Sequence, residues 1–331
     1  MRDGVGRIAF TCWNKITGSV IQSDAIDLFV INADRTGLNA LTHDTFEEQS
    51  PKWSPDGKYI AFRVLRDYAT EIHIINADGT GSTNLSKDAV NPYYFAWSPD
   101  SQRIVFDARS EPALSSIYAM KADGTELLKL SDADTFDQNP DWSPDGTRIA
   151  FESGRLGSAK YNIFTMNADG TDKANLTSNL PATARNPVWS PDGAQIAFEA
   201  IRDGNLQNLN IYTMNADGTE QLKLTESQGL ISFGAWSPDS KRIAFTYDRD
   251  DNSEIYVMNA DGSNQINLTH NPALDDSPAW SPDGKMIVFQ SNRDRPSCQI
   301  CRSFYVMNAD GSGQTRLTDE CPYSFPAAWQ P

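Results

Sequence analysis

Short apolar runs alternate with polar turn sequences along the whole chain. After each of six Trp residues, Ser-Pro-Asp-(Gly/Ser) leads to an Ile-(Ala/Val)-Phe run that ends nine residues after the Trp. A second apolar run ends at Asn-Ala-Asp-Gly or a close variant, and a short strand-like segment follows, as at Lys223-Leu224-Thr225. Short apolar runs bounded by turn residues are typical of β-strands. The pattern therefore predicts an all-β chain of four-stranded antiparallel repeats.

The two recurring turn sequences have the residues that tight hairpins require. In Ser54-Pro55-Asp56-Gly57, Pro fixes the first central φ, Asp tolerates the second, and Gly accepts the positive φ that follows. Asn76-Ala77-Asp78-Gly79 offers the same chemistry without Pro. We label the four strands of a repeat a to d, and expect the first turn to join a to b and the second to join c to d.

The two ends of the chain complete each other. Residues 7–10 match strand b and residues 28–34 match strand c with its turn, while residues 326–329 match strand a. Joining them predicts a seven-bladed antiparallel β-propeller, closed by the C-terminal strand, as a single domain over residues 1–331. Such closure leaves no open sheet edge between the first and last blades. The Trp that recurs once per repeat is expected to be a core wedge between sheets: Trp53, Trp97, Trp142, Trp189, Trp236, Trp280 and Trp329.

The repeat resembles that of the TolB-like (WD40-like) β-propeller family. The family's motifs are found in Trp142-Ser143-Pro144-Asp145-Gly146 and in Tyr212-Thr213-Met214-Asn215-Ala216-Asp217-Gly218, and the likeness covers essentially the whole chain. These repeats occur in periplasmic scaffold proteins, in secreted cell-surface proteins and in gating domains of peptidases, so the resemblance implies a fold and not one activity. The seven predicted repeats and the lack of a preceding α/β domain differ from TolB itself, so its lipoprotein partner is not implied.

Only one side of the predicted propeller varies in sequence length. From the strand-b Phe to the next Asn-Ala-Asp-Gly start, the spacing runs from 14 to 22 residues, so the variation falls in the loop between strands b and c. This loop and the connection from strand d to the next strand a emerge on the same face. Binding residues are usually found on variable loops of a rigid scaffold. We therefore predict a protein, peptide or glycan ligand on this face, where the longest loops are residues 11–27 and 290–303.

Three sets of side chains are candidates for that site. Trp13 is the only Trp outside the repeat pattern. Aromatic residues replace polar ones in three d–a connections and would form a platform for sugar or peptide, or merely fill gaps left by Pro: Tyr93, Tyr94, Phe233, Tyr323 and Phe325. Arg follows the strand Phe by four residues in five b–c loops, where it would bind ligand or bridge to Glu48, Asp137 or Asp275: Arg66, Arg155, Arg202, Arg249 and Arg293.

The four cysteines lie in two adjacent repeats. Their positions favour a Cys12–Cys321 disulfide, which would fasten the ends of the ring, and a local Cys298–Cys301 disulfide. A four-thiolate zinc site and free thiols are the alternatives. Disulfides would indicate an oxidising compartment, so a periplasmic, secreted or cell-surface location is expected.

A weak calcium candidate and no other cofactor are predicted. Asp248, Asp250, Asn252 and Glu254 alternate in one b–c loop, but the spacing and turn glycine of an EF-hand are missing, which favours a solvated acidic loop.

The charge balance limits the partners. With 28 Lys and Arg against 44 Asp and Glu, and no basic cluster, nucleic acid is not expected. No apolar run approaches the ~20 residues of a membrane span. Residues 1–4 lead directly into a strand-like segment without a recognisable signal peptide. We expect a monomer.

No catalytic residue set is recognised. The chain has three histidines and none of the common nucleophile, metalloprotease, P-loop or dinucleotide motifs. The sequence favours a non-catalytic binding or scaffold propeller. The alternatives are a polysaccharide lyase or hydrolase that uses the loop-face funnel, and an accessory propeller of a larger secreted enzyme.

Overall fold

The regular elements of the computed structural model are β-strands. It describes residues 6–13, 26–67, 69–86, 91–111, 114–132, 134–155, 160–201, 209–226, 229–249, 251–298, 301–319, 321 and 326–331. Within these ranges no helix is long and apolar enough to cross a membrane.

The strands form antiparallel units of four. The first unit consists of β1 (Arg7–Trp13), β2 (Ile26–Asn32) and β3 (Asn39–Ala40), together with the last strand, β28 (Ala328–Trp329). The next two consist of β4 (Glu47–Trp53), β5 (Tyr59–Arg66), β6 (Ala69–Asn76) and β7 (Thr83–Asn84), and of β8 (Pro92–Trp97), β9 (Arg103–Glu111), β10 (Leu114–Lys121) and β11 (Leu128–Lys129). Two more consist of β12 (Thr135–Trp142), β13 (Arg148–Arg155), β14 (Tyr161–Asn167) and β15 (Ala174–Asn175), and of β16 (Thr183–Trp189), β17 (Gln195–Ile201), β18 (Leu209–Asn215) and β19 (Leu222–Lys223). Then follow β20 (Leu230–Trp236), β21 (Arg242–Arg249), β22 (Asn252–Asn259) and β23 (Ile266–Asn267), and finally β24 (Asp275–Trp280), β25 (Met286–Ser291), β26 (Ser303–Asn308) and β27 (Thr315–Arg316).

The two ends of the chain share one sheet. β28 pairs antiparallel with β1, with Ile8 opposite Trp329 and Ala9 opposite Ala328. A hydrophobic cluster that contains Ile8, Phe10 and Trp329 also contains Phe304 of β26. The first unit therefore packs on the β24–β27 unit in the same way that sequential units pack on each other.

The recurring Trp residues are core, as predicted. All seven are between 6% and 8% exposed. Their indole nitrogens reach the preceding unit in several cases: Trp97 Nε1 donates to the carbonyl oxygen of Lys52 at 3.1 Å, and Trp53 Nε1 donates to that of Ala328 at 3.2 Å. Each ring thus packs between two sheets. Four of the seven also donate a hydrogen bond to the preceding unit, whereas Nε1 of Trp142, Trp189 and Trp280 has no partner among the described residues.

The a–b turns confirm the predicted hairpin chemistry. The Gly57 amide donates to the Ser54 carbonyl oxygen at 2.8 Å, and Gly57 has φ of 67°. Ser101 replaces this Gly with φ of 62°. Its hydroxyl accepts a hydrogen bond from the Asp56 amide of the neighbouring unit at 3.0 Å, which offsets part of the backbone strain.

In six units, strand a is longer than predicted, at β4, β8, β12, β16, β20 and β24. Tyr93, Tyr94 and Phe233, expected in d–a connections, lie inside β8 and β20. The strand continues past the Pro and polar residues because a bulge accommodates them, as between Gln49 and Lys52. There Ser50 has φ of 51°, and Pro51 needs no ladder hydrogen bond.

The first long loop is also shorter than predicted. Thr11, Cys12 and Trp13 extend β1, where Cys12 is opposite Asp27 and Trp13 is opposite Ile26.

The cysteines pair as the sequence favoured. Cys12 is bonded to Cys321, with Cα atoms 4.8 Å apart, and Cys298 is bonded to Cys301. No cysteine is free, so the thiolates that a zinc site requires are absent. The first bond joins the end of β1 to the connection that leads into β28.

Candidate functional site

The two sides of the sheets differ in what they carry. We call the side at which strands b end and strands c begin the loop face; examples are Arg66 with Ala69, Arg155 with Tyr161 and Arg249 with Asn252. The opposite side, with the a–b turns (residues 54–58 and their equivalents) and the c–d turns (residues 77–82 and their equivalents), is the turn face.

The turn face carries two sets of ionised aspartates. In the c–d turns, hydrogen bonds from Thr or Ser side chains and from backbone amides lower the pKa of the turn carboxyl, as at Asp78 with Thr80. In the a–b turns, burial is the largest single influence on Asp56 and acts to raise its pKa, but the combined hydrogen bonds from Ser54 and Lys58 outweigh it and lower the pKa to about 2. The same occurs at Asp34, Asp123, Asp169, Asp217, Asp261 and Asp310, and at Asp100, Asp145, Asp192, Asp239 and Asp283. Nearly every unit has these aspartates, so we assign them to the structure of the hairpin turns and not to a binding site.

An apolar cleft lies between the strands a of three units. We call it the aromatic cleft; it has a volume of about 240 Å³ and is lined by Ser50, Pro51, Lys52, Tyr93, Tyr94, Phe95, Pro326, Ala327 and Ala328. Tyr93 is 46% and Tyr94 43% exposed, and their rings meet edge to face with centroids 4.7 Å apart. Among described residues, these are the only aromatic side chains that are both large and exposed.

Buried charged groups fix the backbone beneath the two tyrosines. The Arg63 guanidinium lies 4.3 Å from the Tyr93 ring centroid and donates to the Tyr93 carbonyl oxygen at 2.8 Å. The Tyr94 amide donates to Asp107 Oδ1 at 2.9 Å. Burial raises the pKa of Tyr94 to about 12, so its hydroxyl is protonated at neutral pH. The tyrosine pair is therefore held before any ligand arrives.

Three buried carboxylates continue around the inner strands. Asp107, Glu152 and Glu199 each follow the strand-b Phe. Glu152 accepts the Asn186 amide at 2.9 Å and Glu199 accepts the Phe233 amide at 2.9 Å, in each case from the next unit. Burial raises the pKa of Asp107 to about 7 and also raises that of Glu199. Their oxygens hold the bulged strands in place.

Two residues of opposite charge occupy the sequence position directly before the recurring Trp in two different units. Lys52 and Asp141 occupy the same position in β4 and β12, directly before Trp53 and Trp142. Desolvation lowers the pKa of Lys52 and raises that of Asp141 to about 6, and their mutual attraction opposes both shifts. Lys52 Nζ donates to the Phe95 carbonyl oxygen at 2.7 Å. This cation forms the charged floor of the aromatic cleft.

The predicted arginines do not share one role. Arg293 bridges to Asp275 at 2.9 Å, as expected for the structural alternative. Arg66 instead stacks on Phe46, with its guanidinium carbon 3.9 Å from the ring centroid, and does not pair with Glu48. Arg155 and Arg249 are exposed at the ends of β13 and β21.

Two further candidates, Phe233 and Trp13, do not line the aromatic cleft. Phe233 packs against the cluster that contains Trp236. Trp13 is partly buried at the end of β1. Tyr323, Phe325, Arg202 and Asp250 lie outside the described residues.

Two of the predicted calcium ligands, Asp248 and Glu254, do not converge, whereas Asn252 Nδ2 donates to Glu254 Oε1 at 3.0 Å. Asp248 is opposite Ser253 and Glu254 is opposite Tyr247 across the β21–β22 ladder, so Asp248 and Glu254 lie on opposite faces of the sheet. Glu254 accepts the Asn271 amide at 2.8 Å and a bond from Thr269. Within the described ranges, no three His, Cys, Asp or Glu side chains form a group that could hold a metal.

Sequence reasoning missed Asp107, Glu152 and Glu199. The available signal was a polar residue directly after the Phe of a buried strand, at Arg63, Asp107, Glu152, Glu199 and Gln290. Buried charged groups need hydrogen-bond partners, so this position predicts contacts between repeats.

The effect of a buried carboxyl on the stability of the protein can be tested at Glu48. It is fully buried, and burial, with the charges of Asp44 and Asp27, raises its pKa to about 9. A raised carboxyl pKa means that stability falls as pH rises from the unfolded pKa towards the folded one. Glu48→Gln is therefore expected to stabilise the protein by about 2 to 3 kcal/mol at pH 7 and by little at pH 4, measured by urea unfolding.

Glu47→Gln serves as the control for that measurement, because Glu47 is only partly buried in the same strand. An equal gain from both substitutions, or a gain from Glu48→Gln that does not grow with pH, would contradict the assignment.

Comparisons with known proteins agree with this architecture. The family model described as the TolB beta propeller domain matches residues 223–331. A search of curated protein sequences finds no match.

Solved structures show the same fold at low identity. TolB from Acinetobacter baumannii is 16% identical, with a TM-score of 0.59, over 92% of this chain and 79% of that one. An oligogalacturonate lyase in complex with manganese is 15% identical, with a TM-score of 0.66, over 94% and 84%. A prolyl endopeptidase is 14% identical, with a TM-score of 0.69, over 90% of this chain and 47% of that one.

At these identities the likeness concerns the fold alone. The family model and the solved structures together show that the chain has the fold of the TolB-like β-propellers and that residues 223–331 match the TolB beta propeller domain.

Proposed function

We propose that this chain is a non-catalytic binding propeller whose aromatic cleft holds a protein, peptide or glycan ligand. In this proposal residues 1–331 form one domain of seven blades, and β28 closes the ring. The β1–β28 pairing, the Trp53 bond to Ala328 and the cluster joining Phe10 to Phe304 support closure.

The single observation that carries the binding proposal is the exposed Tyr93–Tyr94 pair. Soluble proteins seldom leave two adjacent aromatic rings exposed on a rigid backbone without a contact to make. The cleft next to them is walled by Pro51, Phe95 and Pro326, which suits an apolar side chain or the apolar face of a sugar ring.

The chemistry of the three buried carboxylates supports binding over catalysis. A general acid or base must reach the proton it transfers. Glu152 and Glu199 instead accept backbone amides of the next unit, and Asp107 accepts the Tyr94 amide. Because these carboxylates accept backbone amides, their role is to position the strands.

The disulfides support a periplasmic, secreted or cell-surface location for this propeller. Disulfides persist in oxidising compartments and are rare in the cytosol. We further propose that the protein acts as a monomer.

The binding proposal is tested with a peptide library displayed on phage and panned against the folded protein. Peptides selected on the wild type are expected to bind Tyr93→Ala/Tyr94→Ala at least about tenfold more weakly, because two central aromatic contacts are lost. Leu222→Ala/Ile266→Ala is the matched control, since both side chains are 47% exposed but lie on strands d. Affinity is measured by surface plasmon resonance.

A parallel arm tests glycans and the lyase alternative. Oligogalacturonate with manganese is incubated with the protein, and the ultraviolet absorbance of an unsaturated uronate is followed. Binding without product that depends on Tyr93 and Tyr94 supports a glycan ligand. Turnover would show that the protein is an enzyme, and equal loss in the control variant would show that the cleft is not the site.

A further inference from the structure

Two repeats carry nearly the same side chains around one position of the sheet. The β12–β15 and β24–β27 units align without gaps from the recurring Trp through strand b, and again from the Asn of the c–d turn. The equivalent pairs are Asp137 and Asp275, Phe151 and Phe289, Ser153 and Ser291, Arg155 and Arg293, Phe164 and Tyr305, and Lys173 and Gln314.

In the β24–β27 unit these groups enclose the guanidinium of Arg293. It donates to Asp275 Oδ2 at 2.9 Å, to Gln314 Oε1 at 2.8 Å and to Ser291 Oγ at 2.9 Å. Its central carbon lies 4.5 Å from the Tyr305 ring centroid and 5.3 Å from that of Phe289. A carboxylate, two polar acceptors and aromatic walls are what a guanidinium requires.

In the β12–β15 unit the equivalent groups line an open cavity. Asp137, Ser153, Phe151 and Phe164 surround about 350 Å³. Arg155, at the position of Arg293, is exposed and lies at the edge of this cavity. Lys160 and Lys173 also line the cavity, and Lys173 stands at the position of Gln314. The two repeats thus share a carboxylate, a serine and two aromatic positions, and differ in this residue and in what lies between the shared groups.

Asp137 is buried, and the charge of Lys173 offsets only part of the resulting rise in its pKa. Its side chain is 3% exposed, and among the described residues no cation forms an ion pair with it and its Oδ1 atom has no hydrogen-bond partner. Lys173, the nearest substitute for Gln314, has its Nζ 2.9 Å from Asp132 Oδ2 instead. Oδ1 of Asp275 also lacks a hydrogen-bond partner. The two aspartates therefore differ in that Oδ2 of Asp275 pairs with Arg293.

Burial of an unpaired carboxylate is costly, and a cation at the site removes that cost. Burial raises the pKa of Asp137, with partial compensation by the hydroxyls of Ser153, Ser131 and Thr135. A guest guanidinium would gain the carboxylate, hydroxyl and aromatic contacts that Arg293 makes within its own repeat, but not the acceptor of Gln314, which Lys173 replaces.

We propose that the cavity of the β12–β15 unit binds the guanidinium group of an arginine, supplied by a free amino acid or by a peptide. The site is separate from the aromatic cleft and does not depend on the function proposed there. The exposed Arg155 at its edge would complement the carboxylate of a free arginine.

The rival occupant is Arg155 itself, which could turn inward as Arg293 does. Arg155→Ser separates the two, because it removes the rival and leaves Asp137, Phe151 and Phe164 in place. If an external arginine is the ligand, the wild type binds it and Arg155→Ser still does.

The test is calorimetric titration with L-arginine, with N-acetyl-arginine methylamide as a mimic of an arginine within a peptide, and with citrulline as the neutral isostere. We expect one site for arginine and none for citrulline. Asp137→Asn should weaken arginine binding at least about tenfold, which corresponds to about 1.4 kcal/mol. Asp275→Asn is the matched control, and we expect it to leave arginine affinity unchanged because its own guanidinium fills that space.

The two ligand arms distinguish the sources. Binding of L-arginine alone indicates the free amino acid, and equal binding of the methylamide indicates an arginine side chain. Failure of both ligands with the wild type overturns the proposal, and so does binding that appears only in Arg155→Ser, because Arg155 would then be the natural occupant. Equal binding of citrulline, or equal loss in Asp137→Asn and Asp275→Asn, also overturns it.

Discussion

Replacing Cys12 and Cys321 together by Ser is expected to lower the free energy of unfolding by about 5 kcal/mol. The disulfide joins residues 309 positions apart, so it restricts the unfolded chain far more than a local bond does. It also holds the end of β1 beside the connection into β28. The measurement is urea unfolding monitored by tryptophan fluorescence, in the absence of reductant.

Cys298→Ser/Cys301→Ser is the matched control, since its disulfide spans a sequence separation of only 3 residues. We expect a clearly smaller loss in that variant because a short loop removes little entropy. If both double variants lose the same stability, the long-range bond does not fasten the terminal sheet.

Trp329→Ala is expected to cost about 4 kcal/mol, the usual effect of removing a buried aromatic side chain. Trp329 is 8% exposed, packs with Ile8 and Phe10, and donates from Nε1 to the Ala279 carbonyl oxygen at 3.1 Å. The loss would come from the cavity and from the weakened contact of β28 with the β24–β27 unit. Equilibrium unfolding of the oxidised protein measures it.

Trp236→Ala provides the comparison, because Trp236 is 6% exposed and lies in a unit built from continuous sequence. Similar losses in both variants are expected if the terminal sheet is packed as firmly as the others. A loss near 4 kcal/mol for Trp236→Ala beside less than about 1 kcal/mol for Trp329→Ala would argue against a closed ring.

Repetition made much of the fold predictable from the sequence. The a–b turn at Ser54–Gly57, the core role of Trp97 and the pairing of Cys12 with Cys321 all follow from position within a repeat. Residues that recur in almost every repeat are those that the scaffold requires. Repetition within one sequence is therefore enough to identify them.

The candidate site was less predictable because it depends on the course of the backbone and on side-chain direction. A bulge placed Tyr93 and Tyr94 inside β8, although Pro and polar residues at that position suggested a connection. Arg155 and Arg293 have equivalent sequence positions, yet only Arg293 meets the buried Asp of its unit. The choice depends on Gln314 or Lys173 two strands away, and a single sequence does not show that contact.

The aspartates of the turn face and the buried carboxyls of the sheets respond to acid in opposite ways. Hydrogen bonds lower the pKa of the turn aspartates, as at Asp78 and Asp56, whereas burial raises the pKa of Asp107 to about 7 and that of Glu48 to about 9. A fall in pH to moderately acidic values therefore protonates the buried carboxyls and leaves the turn aspartates ionised. The hairpin turns would keep their side-chain hydrogen bonds under conditions in which the interior of the sheets has already lost charge.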